Sequence, residues 1–194
     1  MEVDHIDALE KAATDDRSTF DYSSVPWDRP AMETYVHQAL DRRDAGEHYP
    51  FVTWSTELCR VVGATRFYDM RTWDWSGVYP GSVDFRRPDA IDATNIGYTW
   101  LHPSVQRTAV NTEAKLLMLA HAFECWQARV VRLKTDARNE RSRAAIARLG
   151  FSLDGIWRAE RPAPDGTVRD SASYSMLAAE WPGHRRRLLE RLGR

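Results

Sequence analysis

The order of apolar and polar positions along the chain predicts helices alternating with strands. An apolar period of three to four residues predicts helices over 4–14, 30–44, 112–127, 140–149 and a basic amphipathic segment over 181–192. Short apolar or alternating runs bounded by turn residues predict strands over 51–55, 59–70, 94–101, 129–135, 151–159 and 171–178. No linker or repeat interrupts this order. The pattern therefore predicts an α/β fold in a single domain over residues 1–194.

One long connection, residues 71–93, shows neither the helical nor the strand pattern of apolar residues. It contains Trp73 and Trp75 together with several proline and glycine residues. Connections of this length without secondary structure are uncommon in compact domains and are often functional. We expect this segment to line a binding site.

Composition narrows the class of protein. The chain has 194 residues, of which 43% are hydrophobic and 28% are charged, enough for one domain with a sizeable core. No apolar run reaches the length of a membrane span, and the polar, acidic start does not resemble a signal peptide. The two cysteines form no disulfide framework, and no cluster has metal-ligand spacing. We expect a cytoplasmic protein with no membrane partner and no metal.

The small net charge of −1 hides an uneven distribution. Acidic residues dominate residues 1–48, whereas residues 129–148 are rich in arginine. Two solvated faces would explain this, and so would an acidic half that meets a cation and a basic segment that meets an anion. The overall balance argues against nucleic-acid binding, although the tail from Arg185 to Arg194 is basic.

The junction 106–112 brings a polar turn to the start of an apolar helix. Free backbone N–H groups and the positive end of a helix dipole make such a position a natural anion site. The junction lacks the Gly-Lys-Ser/Thr of a Walker loop and contains no glycine. A plain helix start with Asn111 as the N-cap is the alternative.

A second motif, Asn139-Glu140-Arg141-Ser142, follows the next strand and runs on to Leu149-Gly150-Phe151. With Gln106-Arg107-Thr108-Ala109-Val110-Asn111 it resembles the GNAT superfamily of N-acetyltransferases, closest to the branch that acetylates ribosomal-protein N-termini. The resemblance implies a mixed, mostly antiparallel sheet flanked by helices and splayed between its fourth and fifth strands, here 94–101 and 129–135. The chain departs from the pattern at Ala109 and Asn111, where small residues such as glycine are usual. The family's first strand is also reduced or missing, which would leave a sheet edge for a loop or for a second copy in a homodimer.

The resemblance implies acetyl-coenzyme A as co-substrate. The backbone of Tyr98, Trp100 and Leu101 would pair with pantetheine. The N–H groups that would hold the pyrophosphate belong to Arg107, Thr108, Ala109, Val110, Asn111 and Thr112. The arginines that could reach the 3′-phosphate are Arg107, Arg138, Arg141 and Arg143. Asn139 would bind the pantetheine arm, or simply cap its helix.

Acyl transfer to an amine needs a base and a donor to the leaving sulfur. Many family members use a tyrosine at the position of Ile146, so the resemblance points instead to Ser142, whose alternative is a helix-start hydroxyl. Glu160 matches a glutamate of the same branch and is the candidate base; its alternative is a surface ion pair with the flanking arginines. The weaker candidates for the base are Asp84, Asp92, Asp170 and His102.

The predicted acceptor site is acidic and aromatic, which suits a primary amine of a small molecule or of a protein N-terminus. Its predicted members are Asp15, Asp16, Asp21, Tyr22, Trp27, Trp73, Trp75 and Trp157. The alternative function is a degenerate relative that binds acyl-coenzyme A or a partner without catalysis, favoured by the altered loop.

Overall fold

The computed structural model describes residues 1–75 and 91–194, and residues 76–90 of the predicted long connection lie outside the described part. One mixed sheet of six strands runs through the described chain in the order β1-β2-β3-β4-β6-β5. Its strands are β1 (His48–Ser55), β2 (Arg60–Arg71), β3 (Ala93–Leu101), β4 (Val130–Asp136), β5 (Ser152–Pro162) and β6 (Val168–Leu177). All six predicted strands are therefore present, and most extend a few residues beyond the prediction.

Five α-helices flank the sheet in the described residues. They are α1 (Ile6–Thr14), α2 (Arg29–Asp44), α3 (Ala109–Ala120), α4 (Glu140–Arg148) and α5 (Trp181–Arg191). The helical path of α3 continues as a π-turn over His121–Cys125. The first strand of the described chain follows α2 and lies at one edge of the sheet. None of the described helices is long and apolar enough to cross a bilayer.

Both faces of the sheet are packed. On one face, Leu9 of α1 and Met32 of α2 are fully buried in a cluster with Trp100 of β3. On the other face, Leu119 of α3 is fully buried against residues such as Ile96 of β3. Burying one such side chain stabilises the fold by roughly 1.5–3 kcal/mol. The central strands are thus held from both sides and form a rigid support for a site.

β3 and β4 pair over only part of their length. Their parallel ladder joins 93–96 to 130–133, and no further pair continues it in the described strands. At this point β3 has a bulge, where the register with β2 shifts and Tyr98 has φ +51°. A side chain at the preceding Gly97 would meet the Tyr68 ring, since an added Cβ would lie 2.6 Å from Cε1. Bulges bend a strand away from its partner, so β3 leaves β4 from here onward.

Candidate functional site

The helix that follows β3 begins earlier than its apolar pattern indicates. The predictions of a start at residue 112 and of Asn111 as the N-cap are both wrong, because Thr108 caps α3. The Thr108 hydroxyl accepts from the Val110 N–H at 3.3 Å and donates to the Val105 carbonyl at 2.7 Å. A threonine in extended conformation is a favoured N-cap, and this local preference outweighs the polar character of the next turn.

Several amides at this helix start have no partner in the part of the chain that the structure describes. They belong to Arg107, Ala109 and Asn111, whose N–H groups donate to no protein acceptor there. Ala109 is exposed, and the residue with positive φ in this loop is Arg107, at +64°. Alanine at position 109 therefore needs no glycine-like conformation. An anion can approach the free amides.

A network of hydrogen bonds through Thr19 holds this loop against α4. The Gln106 amide donates to the Leu101 carbonyl at 2.9 Å and to the Thr19 hydroxyl at 2.7 Å. Arg141 of α4 donates to the Thr19 carbonyl at 2.8 Å. Thr19 thus joins the loop before α3 to the start of α4. Both arginines of this junction, Arg107 and Arg141, are exposed.

The other two candidate arginines, Arg138 and Arg143, are held by side-chain partners. Arg138 pairs with Asp136 and Asp165, each at 2.8 Å. Arg143 donates to the Tyr174 hydroxyl at 3.2 Å and to a backbone carbonyl. These contacts fix the start of α4 against the sheet, so of the four predicted phosphate ligands Arg107 and Arg141 are the better placed.

The Asn-x-x-Ser motif forms the first turn of α4. Asn139 is the N-cap, and its Oδ1 accepts from the Ser142 N–H at 3.0 Å. The helix-cap alternative is therefore realised for Asn139. Its Nδ2 still points away from the cap bond as a potential donor, and the partly exposed Ser142 hydroxyl makes no hydrogen bond within the described residues.

The predicted pantetheine strand has one open edge. Trp100 and Leu101 pair with Ala64 and Gly63 of β2 on one side. On the side of β4 the ladder ends at Ile96, so the backbone over 97–101 has no strand partner there among the described residues. An extended chain carrying amides could hydrogen-bond to this edge.

Glu160 directly follows a second bulge, which lies in β5. Ala159 has φ +51° and its N–H donates to Asp170 Oδ1 at 2.8 Å, at the register shift between β5 and β6. The Glu160 carboxylate accepts from Lys134 Nζ of β4 at 2.6 Å. The same ammonium lies 3.4 Å from the centre of the Trp157 ring. Glu160 therefore pairs with a lysine across the sheet rather than with the arginines that flank it in sequence.

Opposing influences set the charge of Glu160. Burial raises the pKa of Glu160, while hydrogen bonds from Lys134 and Ser171 and the charges of Lys134 and Arg169 lower it. Together the lowering influences prevail, and the pKa lies below its usual value. The side chain is therefore anionic at neutral pH, as a proton acceptor must be.

The rival bases have structural partners. The buried Asp92 accepts from the Trp73 N–H at 2.9 Å, from Trp75 Nε1 at 3.3 Å and from Arg129 Nε at 3.1 Å. Asp170 supports the bulge at Ala159, as described above. These contacts tie both carboxylates to backbone and side-chain donors.

His102 and Asp84 complete the candidate bases. His102 is buried, and its ring nitrogens lie 3.2 Å from Asp15 Oδ2 and 2.7 Å from Ser104 Oγ. It also caps the short turn after β3 by accepting from the Ser104 N–H. These bonds give His102 a structural role. Asp84 lies outside the described residues.

The acidic and aromatic residues predicted for the acceptor site make different contacts in the described chain. Trp75 stacks on Arg129 at the closed end of the β3–β4 ladder, and Trp27 is 70% exposed. Asp15 instead contacts His102. Tyr22 lies under Arg138, 5.1 Å from the guanidinium to the ring centre. Trp157 lies beside the Lys134–Glu160 pair, and residues 76–90 lie outside the described part, so the acceptor site stays a prediction.

A different cluster lies beside the bulge of β3, and sequence reasoning missed it. Its members, from α2, β1, β2 and β3, are Tyr35, His48, Arg66, Tyr68 and Tyr98. Burial raises the pKa of Tyr68 to about 12, and the charges of Arg161 and Glu160 of β5 also act on this hydroxyl. This links one member of the cluster, Tyr68, electrostatically to Glu160. The one sequence signal was an arginine, Arg66, inside an otherwise apolar strand.

Lys115 of α3 was also missed. It is 3% exposed and donates to the hydroxyls of Thr65 of β2 and Thr99 of β3, at 2.9 and 2.8 Å. Burial lowers the pKa of Lys115 to about 7. Thr99 directly follows the bulge residue Tyr98, so Lys115 supports β3 from the face opposite the aromatic cluster. A lysine within an apolar helical run was the available signal.

Parted strands, a helix N-terminus with free amides and a capped second helix together define an acyltransferase architecture. The sequence model described as Acetyltransferase (GNAT) domain matches residues 1–152, more than half of the chain. The chain belongs to the GNAT family of acetyltransferases.

Individual relatives agree with this assignment. YdaF of Bacillus subtilis (strain 168), whose name assigns it provisionally to the ribosomal N-acetyltransferases, is 28% identical over 112 residues, or 57% of this chain and 60% of YdaF. The chain thus spans less than two thirds of this curated relative. A GCN5-related N-acetyltransferase from Brucella melitensis has a TM-score of 0.79 at 22% identity, covering 96% of this chain and 77% of that one. Mycobacterium smegmatis RimJ in complex with CoA-disulfide has a TM-score of 0.78 at 19% identity, covering 100% of this chain and 87% of that one. At these identities the two structures show the fold.

Proposed function

We propose that the protein transfers the acetyl group of acetyl-coenzyme A to a primary amine, on a small molecule or a protein N-terminus, by direct attack in a ternary complex. The observation that carries this proposal is the parting of β3 from β4 directly before the free amides at the start of α3. A diphosphate and an extended amide-bearing arm are the two parts of coenzyme A that such a site would hold.

The residues present fit the coenzyme. The amides of Arg107, Ala109 and Asn111 would bind the pyrophosphate, with Arg107 and Arg141 supplying positive charge. The open edge over 97–101 would pair with the amides of pantetheine. Asn139 retains Nδ2 to donate to the same arm. The exposed position of Ala109 supports this fit despite the lack of glycine.

The chemistry requires a neutral amine, a stabilised oxyanion and protonation of the leaving thiolate. Glu160, ionised at neutral pH, would accept the proton of the attacking amine directly or through water. A backbone N–H at the bulge of β3 would donate to the oxyanion. The free hydroxyl of Ser142 would donate to the departing sulfur.

The relatives support the amine class of the acceptor. The name of YdaF points to ribosomal proteins, and we carry this over as one candidate acceptor, a protein N-terminus. A small-molecule amine is the other.

Coenzyme binding can be tested directly. Titration of acetyl-coenzyme A into the protein by calorimetry should give micromolar affinity, and thiol release should follow when an amine panel is added. The panel would contain short peptides with free N-termini and small primary amines. Absence of both heat and thiol release would refute the proposed function.

Replacing Glu160 by glutamine should lower kcat by about 100-fold, the usual contribution of a general base. The KM for acetyl-coenzyme A should stay unchanged, because the proposed base does not contact the coenzyme. Steady-state thiol release measures both constants. Glu57→Gln, at an exposed position between β1 and β2, is the matched control. A kcat in Glu160→Gln equal to that of the control would exclude Glu160 as the base.

A further inference from the structure

Arg66 of β2 is a buried cation without a carboxylate partner among the described residues. Arg66 is 3% exposed, and its Nε has no hydrogen-bond partner. Nη1 lies 3.4 Å from His48 Nδ1, a long contact with an uncharged ring. Buried charges are normally paired, so an unpaired guanidinium requires an explanation.

The surroundings of Arg66 leave a second polar group without a partner. The guanidinium lies between two rings, 4.7 Å from the centre of Tyr35 and 4.1 Å from that of Tyr98. The buried Tyr35 hydroxyl also lacks a hydrogen-bond partner. Burial and the charges of Arg66 and Arg42 lower the pKa of His48, which keeps that ring neutral. The donors of Arg66 and Tyr35 thus stand together in a locally positive environment.

The position of Arg66 connects it with the proposed reaction. It pairs with Gly97 in the β2–β3 ladder, next to the bulge residue Tyr98 and at the point where β3 leaves β4. Tyr68, two residues further along β2, is on the same face of the sheet and feels the charge of Glu160. Arg66 therefore lies next to the backbone over 97–101, the edge that we propose pairs with pantetheine.

We propose that Arg66 and Tyr35 bind a carboxylate of the acceptor, so that the acceptor is a primary amine that also bears a carboxylate. This proposal rests on the proposed function and specifies its substrate class. A guanidinium matches a carboxylate with two parallel hydrogen bonds, and a tyrosine hydroxyl adds a third donor. Such a ligand supplies the negative charge and the acceptors that the described protein does not.

Matched acceptor pairs test the proposal. β-Alanine is compared with β-alaninamide, and the C-terminally amidated peptide Ala-Glu-Ala-Ala with Ala-Gln-Ala-Ala, so that each pair differs by one carboxylate. Thiol release from acetyl-coenzyme A gives kcat/KM. In at least one pair the wild-type protein should prefer the carboxylate by about 10-fold or more, the size of one charge-assisted contact.

Three variants connect the preference to the site. Arg66→Met should bring the ratio to about 1 by removing the guanidinium. Tyr35→Phe removes a hydroxyl that has no protein partner, so it should reduce the preference several-fold with an unchanged melting temperature. Arg71→Met, at the exposed end of the same strand, should keep the wild-type ratio.

The outcomes separate the two proposals. A wild-type protein that favours no carboxylate, or an unchanged ratio in both Arg66→Met and Tyr35→Phe, overturns the carboxylate site and indicates that Arg66 only clamps α2 to the sheet. If no acceptor is acetylated, β-alanine and β-alaninamide are titrated by calorimetry into the protein loaded with coenzyme A. Selective binding of the carboxylate that is lost in Arg66→Met still supports the site, and its absence refutes it. Failure to bind the coenzyme itself counts against the proposed function instead.

Discussion

Replacing Ala109 by glutamate should weaken acetyl-coenzyme A binding by about 100-fold or more, equivalent to about 2.8 kcal/mol. The new carboxylate would stand among the free amides at the start of α3 and repel the pyrophosphate. The fold should be retained, because Ala109 is exposed and an acidic residue in the first turn of a helix is stabilising by roughly 0.3–1 kcal/mol. Calorimetric titration measures the affinity, and thermal unfolding measures the stability.

Leu117→Glu provides the matched control for this experiment. Leu117 lies on the same helix and is 65% exposed, so the substitution adds the same charge away from the free amides. Its coenzyme affinity should equal that of the wild type. Unchanged affinity in Ala109→Glu would remove this loop from the coenzyme site.

Replacing Lys115 by methionine should raise the free energy of unfolding at pH 7 by about 2 kcal/mol. A pKa of about 7 in the fold, against 10.5 for an ordinary lysine, corresponds to a penalty of about 4 kcal/mol at neutral pH. The loss of two hydrogen bonds, to Thr65 and Thr99, offsets about 1 kcal/mol each. The melting temperature should rise by about 4–8 °C for a domain of this size.

The sign of the pH dependence follows from the direction of the pKa shift. Between pH 7 and 10.5 the unfolded chain holds a proton that folded Lys115 has released, so its penalty diminishes as the pH rises and is fully present below pH 7. Denaturant unfolding from pH 6 to 10 should show this rise in the wild type and lose it in Lys115→Met. Lys11→Met, at an exposed site on α1, should keep the wild-type slope. A slope retained in Lys115→Met would show that this ammonium is not the group responsible.

The sequence predicted the elements and their order because apolar periodicity is a local property. It predicted the parted strands only through the resemblance, since parting depends on a bulge that no periodicity records. The start of α3 was misplaced because a cap depends on the conformation of one residue, Thr108. Local chemistry at that threonine decided the boundary.

The parts of the candidate site that lie within one short segment of the sequence were predictable. The parts that tertiary packing brings together from distant segments were not. The free amides at the start of α3 and the cap by Asn139 each lie within one short segment. Arg66 and Tyr35 are brought together by the packing of α2 on the sheet, and Lys115 acquires its partners from β2 and β3. The burial and the hydrogen-bond partners of these side chains arise from tertiary structure, and the sequence alone does not reveal them.

The ladder between β3 and β4 divides the sheet into two antiparallel blocks, β1-β2-β3 and β4-β6-β5, joined by a parallel seam over 93–96 and 130–133. Each block is antiparallel within itself, and beyond the seam no strand pairing joins the two blocks in the described residues. An extended ligand that enters the gap would displace no existing strand pair. Such a ligand would extend the hydrogen bonding of the sheet across the gap without breaking the pairing between strands.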